Sequence, residues 1–144
     1  MNATMEKFGW PASRVATFEH WVVVLRPAQP TAGSLVVIAT EPVTAFSDLS
    51  QESFTELAKV TAGVEALARQ EIGYDRINWL MLMMVDPDVH FHVLPRYEGS
   101  RPIAGHVLVD EGWPGPPRVN SGVTLTPDQL AVTAKRFSKA WMGA

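Results

Sequence analysis

Residues 88–96 read Asp-Val-His-Phe-His-Val-Leu-Pro-Arg, so two of the chain's four histidines, His90 and His92, stand one residue apart. Imidazoles held side by side can serve as nucleophile, acid–base group or metal ligand near neutral pH. On an extended strand successive side chains point to opposite faces. Asp88, His90 and His92 are therefore expected along one face, with Val89, Phe91 and Val93 buried on the other. A His-x-His pair with Asp88 could supply three zinc ligands. The chain has no cysteine and offers no clear fourth ligand, so no metal and no cofactor are assigned. The other two histidines, His20 and His106, read as surface or packing residues.

The elements that must carry this face are legible in outline. Arg14–Glu19 and Trp21–Arg26 are rich in Val, Phe, Thr and Trp and read as strands, the second closed by Pro27 and Pro30. Ser34–Thr40 is a third strand after the turn at Ala32-Gly33. Ser50 suits an N-cap for a helix running to about Glu71, with Glu52 in its first turn. Phe54, Leu57, Val60, Val64 and Leu67 recur at helical spacing, and Gly73 is a stop signal. Ile77–Met84 is apolar on both faces and is expected to be a central strand. Asp86-Pro87 marks a short hairpin into the strand Val89–Leu94. From Glu98 to Val123 glycine and proline are dense, which predicts an irregular surface excursion. Thr126-Pro127-Asp128-Gln129 announces a C-terminal helix over about 127–141, with Thr126 as N-cap, Pro127 at N1 and Gln129 closing a capping box. Strands, one long helix and more strands without regular alternation favour an α+β class.

Composition narrows the function. A chain of 144 residues, 47% apolar and 19% charged, is expected to form one domain over 1–144, with its core at about 14–97. A net charge of −3 with no basic cluster argues against nucleic-acid binding. No stretch reaches 18 apolar residues and Met1–Trp10 lacks a signal-like apolar segment, so no membrane is expected and the cytoplasm is the expected compartment.

His90 to Arg96 resembles the motif of the histidine triad (HIT) superfamily, His-φ-His-φ-His-φ-φ, with Asp88 in place of its first histidine. Gly33–Ile38 followed by Val43–Leu49 is similar to the family's Gly-His-x-Leu-Val-Ile…Asp-Leu segment, and Gly112–Pro117 to its Trp-Pro turn. The resemblance spans roughly Phe18 to Pro117. It implies an antiparallel sheet of about five strands with one long helix and a C-terminal helix. It also implies a homodimer formed through sheet and helix contacts, in which the segment carrying Trp113 reaches over the partner subunit.

For chemistry, the resemblance implies that His90 attacks the α-phosphorus of a nucleotide-type substrate. The covalent nucleotidyl-histidine is then hydrolysed or passed to an acceptor. His92 takes the position that contacts a phosphate oxygen. Asp88 takes the position that orients the nucleophile, largely through its backbone carbonyl; its carboxylate could also accept a hydrogen bond from His90. Arg26, Ser34, Asn78 and Arg96 fall at candidate substrate-binding positions. Several features depart from the family. Ser34 and Pro42 replace frequent histidines, and the donor loop before the triad is reduced to Val85-Asp86-Pro87, where Pro87 has no N–H. Acidic Asp86 and Asp88 would repel a polyphosphate unless a cation intervenes. The expected function is a nucleotide hydrolase or nucleotidyl transferase. The alternative is a degenerate domain that binds a nucleotide or a partner without turnover, and a zinc-dependent hydrolase is a distant third.

Overall fold

A computed structural model describes residues 2–142. Its centre is an antiparallel five-stranded sheet. The strands are β1 (Arg14–Thr17), β2 (Trp21–Leu25), β4 (Leu35–Ala39), β5 (Arg76–Leu80) and β6 (His90–Arg96), in the spatial order β1-β2-β4-β6-β5. Two small two-stranded sheets flank it: β3 (Ala28–Gln29) with β9 (Val123–Thr124), and β7 (Ser100–Ile103) with β8 (His106–Val109). The helices are α1 (Ala3–Lys7), α2 (Gln51–Glu71) and α3 (Pro127–Met142), with a 3-10 turn at Phe46–Asp48. The class is α+β, and the fold agrees with the HIT-like expectation.

β2 and β4 are buried at every position, because both faces of the sheet are covered. One face presents Val23, Leu25, Leu35, Val37 and Val93 to Val60, Val64 and Leu67 of α2 and to Leu130, Ala134 and Phe137 of α3. The other presents Val22, Val24, Val36 and Ile38 beneath Met5, Phe8 and Trp10 of the N-terminal segment. The β4–β6 register sets His90 opposite Ile38 and His92 opposite Val36, so both histidines join this second face.

Local chemistry fixes the helix starts. The Ser50 hydroxyl accepts from the Ser53 amide at 3.1 Å, and Thr126 and Gln129 exchange side-chain-to-backbone bonds at 3.2 and 3.0 Å. Gly33 needs its positive φ of 82° and its missing side chain, since a Cβ would stand 2.5 Å from Ile72 Cγ1.

Four expectations are corrected. The strand after α2 ends at Leu80 and lies at the sheet edge rather than its centre; its apolar character reflects Trp79 packing edge-on against Phe91 at 5.7 Å and a pocket lining beyond it. Strands β5 and β6 are antiparallel neighbours, but residues 81–89 join them as an irregular excursion, not a tight hairpin. Residues 98–123 are not wholly irregular. They hold the β7–β8 hairpin, whose two-residue turn Ala104-Gly105 has positive φ at both positions (50° and 82°). Phe54 does not join the buried stripe of α2: it is exposed and packs at a tilt against Phe46, ring centroids 5.5 Å apart.

Candidate active site

His90 is the best-positioned reactive group. It opens β6, is 2% exposed, and its Nδ1 lies 2.6 Å from the Asp88 carbonyl oxygen. A carbonyl oxygen can only accept, so Nδ1 carries the proton. In the neutral ring Nε2 then keeps its lone pair, which is the arrangement a nucleophile needs.

His92 lies on the same face, its ring centroid 5.1 Å from that of His90. Phe8 packs edge-on against His92 at 5.5 Å and tilted against His90 at 6.2 Å. Burial, then the charge of Arg26, push the His92 pKa down to about 4, so the ring is uncharged at neutral pH. Its Nδ1 is buried with no partner among the described residues.

Arg26 follows β2 and supplies positive charge to the same cavity. Its Nη1 donates to the Ala28 carbonyl at 3.0 Å, while its Nε is buried and unpartnered among the described residues. Burial also lowers the pKa of the guanidinium. Two buried polar atoms without partners, on residues that line one cavity, are costly unless something occupies the site.

These side chains line a cavity of about 260 Å³. Its floor is His90, His92 and Leu94. The lining also includes Arg26 and Pro30, the run Leu82–Asp86, and Lys7, Phe8, Val119 and Asn120. Both acidic groups expected to repel phosphate have partners, Asp86 within the cavity lining and Asp88 outside it. Asp86 accepts from Lys7 Nζ at 2.9 Å. The Asp88 carboxylate turns away from His90 and accepts from Thr4 Oγ1 at 2.8 Å and the Thr4 amide at 3.3 Å.

The remaining expected residues lie outside this cavity. Ser34 is fully buried; its hydroxyl donates to the Thr31 carbonyl at 2.8 Å. Arg96 pairs with Asp110 at 2.6 and 3.1 Å and also donates to Asn78 Oδ1 and the Gly115 carbonyl. Asn78 and Arg96 thus border a second cavity of about 550 Å³ beside Trp113, on the other end of β5 and β6. His106 meets Gln129 at 3.3 Å. His20 sits with Glu19 and Glu56 in a surface trio whose ligand-type atoms lie within 4.8 Å of one another.

The sequence reading missed Lys7, Phe8 and Asn120. Lys7 and Phe8 belong to a helix of one turn and the residue after it, too short for any periodic signal. The one available cue was Asn2, whose side chain caps the Met5 amide at 2.9 Å. Asn120 comes from an irregular segment whose path no local pattern specifies.

Similarity to known proteins enters through the fold. No family model matches the chain, and no curated protein matches it in sequence. Among solved structures it is similar to a histidine triad protein of Sinorhizobium meliloti, at 19% identity and a TM-score of 0.73, over 96% of this chain and 94% of the other. A hypothetical histidine triad nucleotide-binding protein of Sulfolobus tokodaii gives 18% and 0.69, over 91% and 84%. A zinc-bound histidine triad family protein of Mycobacterium smegmatis gives 18% and 0.63, over 97% and 91%. The chain therefore has the histidine triad fold. No helix among the described residues is long and apolar enough to cross a membrane.

Proposed function

We propose that the chain is a single HIT-type domain acting as a nucleotide hydrolase or nucleotidyl transferase at a nucleoside α-phosphate. The observation that carries this reading is the 2.6 Å contact between His90 Nδ1 and the Asp88 carbonyl, which leaves Nε2 as the lone-pair nitrogen of a ring that lines a cavity with Arg26. On this reading Asp88 orients the nucleophile through its backbone carbonyl, the role the resemblance implies for its position.

In the first step the Nε2 lone pair of His90 forms a bond to phosphorus, and the bond from phosphorus to the leaving group breaks. The leaving group departs with the electron pair and takes a proton from solvent, while the ring, still protonated at Nδ1, carries the positive charge of the new P–N bond. In the second step water or another acceptor attacks phosphorus, loses its proton, and releases the nucleotide as the P–N bond breaks. Splitting the displacement lowers each barrier. Arg26 and neutral His92 hold the non-bridging oxygens, with Lys7 at the rim. Charge developing on those oxygens is stabilised by fixed donors. Ser34, Asn78 and Arg96 have structural hydrogen bonds in this scheme and no place beside the phosphate. The proposal keeps a homodimer and a cytoplasmic location.

Incubation with an adenosine phosphoramidate, and separately with a diadenosine polyphosphate, tests the reading. Nucleoside monophosphate release that vanishes in His90→Ala, with the fold intact, is expected. A variant releasing product at the wild-type rate contradicts it. One observation favours the second reading, binding without turnover. The wall beside His90 presents Leu82, Met84 and Val85, all exposed and apolar, where phosphate donors would help. Equal nucleotide affinity in wild type and His90→Ala, with no turnover in either, would select it.

A further inference from the structure

The carboxylate of Asp88 has a partner that the catalytic scheme does not use. Thr4, 1% exposed and in the first turn of α1, gives Asp88 both its hydroxyl and its amide. We infer that Thr4 is a positioning residue for His90: it holds Asp88 so that the Asp88 carbonyl faces Nδ1 and sets the tautomer of the nucleophile. This inference rests on the reading of His90 as the nucleophile.

The Val89 carbonyl is fixed by the Ala39 amide at 2.9 Å, which belongs to the β4 side of the sheet. The peptide just upstream carries the Asp88 carbonyl. It borders the irregular segment 81–89, where Met83 adopts a φ of 54°. Sheet pairing between β4 and β6 begins only at Ile38 and His90. The Asp88 side chain on Thr4 is therefore the tie that fixes this peptide from the N-terminal side. A neutral imidazole puts its proton on whichever nitrogen has an acceptor, so the carbonyl's direction decides which nitrogen can attack.

The tie is reciprocal. Asn2 Nδ2 donates to the Ala39 carbonyl at 3.0 Å, and Lys7 meets Asp86 at 2.9 Å. Together with Thr4–Asp88, these contacts seat α1 across the ends of β4 and β6 and deliver Phe8 onto both histidine rings. An aspartate at this position suits the task because a histidine there could not accept two bonds on one oxygen from a hydroxyl and a helix amide.

Four variants test the inference: Thr4→Val, Thr4→Ser, Asp88→Ala and Asp88→Asn. The readouts are kcat on the adenosine phosphoramidate, the Kd of adenosine monophosphate, and the 15N shifts of the His90 ring. Asp88→Ala is expected to lower kcat by roughly ten- to a hundredfold, as small misplacements of reacting groups do, with Kd nearly unchanged. Its His90 shifts should move from a single Nδ1–H tautomer to a mixture. Thr4→Val should change both readouts in the same direction by less, since its amide remains. Asp88→Asn should recover most of the lost rate, because its amide oxygen still accepts both bonds, and Thr4→Ser should do the same. An Asp88→Ala protein that is folded by circular dichroism, with wild-type kcat and an unchanged tautomer, overturns the inference. If the wild type turns over neither substrate, the nucleophile reading fails separately. The ring shifts still decide the Thr4 tie: a mixed tautomer in Asp88→Ala upholds it and an unchanged one overturns it.

Discussion

Replacing Arg26 by methionine keeps the length of the aliphatic stem and removes the one guanidinium that lines the histidine cavity among the described residues. In the free protein the change is nearly balanced. It forfeits the Nη1 bond to the Ala28 carbonyl but also removes a buried Nε with no partner, so stability should move by no more than about 1 kcal/mol. Bound nucleotide is another matter. A charge-assisted hydrogen bond to a phosphate oxygen contributes about 1.5–3 kcal/mol. Since 1.4 kcal/mol is a factor of ten, affinity should fall roughly ten- to a hundredfold. Calorimetric titration with adenosine monophosphate reads this, and thermal unfolding in parallel checks the fold. A second, independent consequence follows from the charge of Arg26, which is the next cause after burial of the depressed His92 pKa. In Arg26→Met that pKa should rise from about 4 towards the ordinary value, which an NMR titration of the ring detects. Wild-type affinity together with an unmoved His92 would refute the placement of Arg26 beside the ligand phosphate.

His92 makes a prediction about pH and stability. Its folded-state pKa of about 4 lies below the unfolded value of 6.5, so the unfolded chain binds more protons between them. The stability tied to the neutral ring is fully present above pH 6.5 and is lost as pH falls through about 4. With allowance for solvent screening, the loss is about 1–2 kcal/mol, and His92→Phe should flatten that part of a denaturation-against-pH curve; an identical slope would contradict it. Arg96→Ala strands the carboxylate of Asp110, itself 7% exposed, without its cation. Breaking a buried pair in this way costs about 3–5 kcal/mol, or roughly 10–20 °C in Tm for a chain of this size. A loss under 1 kcal/mol by urea unfolding would mean that the pair does not hold the turn at 110–115.

What the sequence made legible was what depends on neighbours along the chain. Ser50 and the Thr126–Gln129 box are local chemistry, and both helices begin where those residues place them. The alternation at 89–93 put both histidines on one face because a strand has no other option. The edge position of β5 was hidden. Burial by a neighbouring strand and burial by a pocket wall both ask for apolar residues, and Leu82 to Val85 extended the apolar run past the strand's end at Leu80. The β7–β8 hairpin was masked by Pro102 within a strand and by a turn, Ala104-Gly105, that lacks the usual asparagine. Arg26, which lines the histidine cavity, was singled out by the family resemblance and by no local pattern. Lys7 and Phe8 reach the histidines across more than eighty positions, through contacts such as Thr4 with Asp88 that leave no trace in local pattern. At position 88 the sequence left two roles open for the residue, a backbone carbonyl that orients His90 and a carboxylate that could also accept from it. In three dimensions the charge faces Thr4, and the carbonyl faces His90.

The central claim, that His90 becomes covalently nucleotidylated, is tested most directly by trapping. Wild-type protein mixed with an adenosine phosphoramidate is quenched with denaturant within a turnover, digested and weighed by mass spectrometry. The account predicts one adenylyl group on the peptide containing His90, labile to acid and absent from His90→Ala. Product release with no adduct on that peptide, or an adduct on another residue, would contradict it.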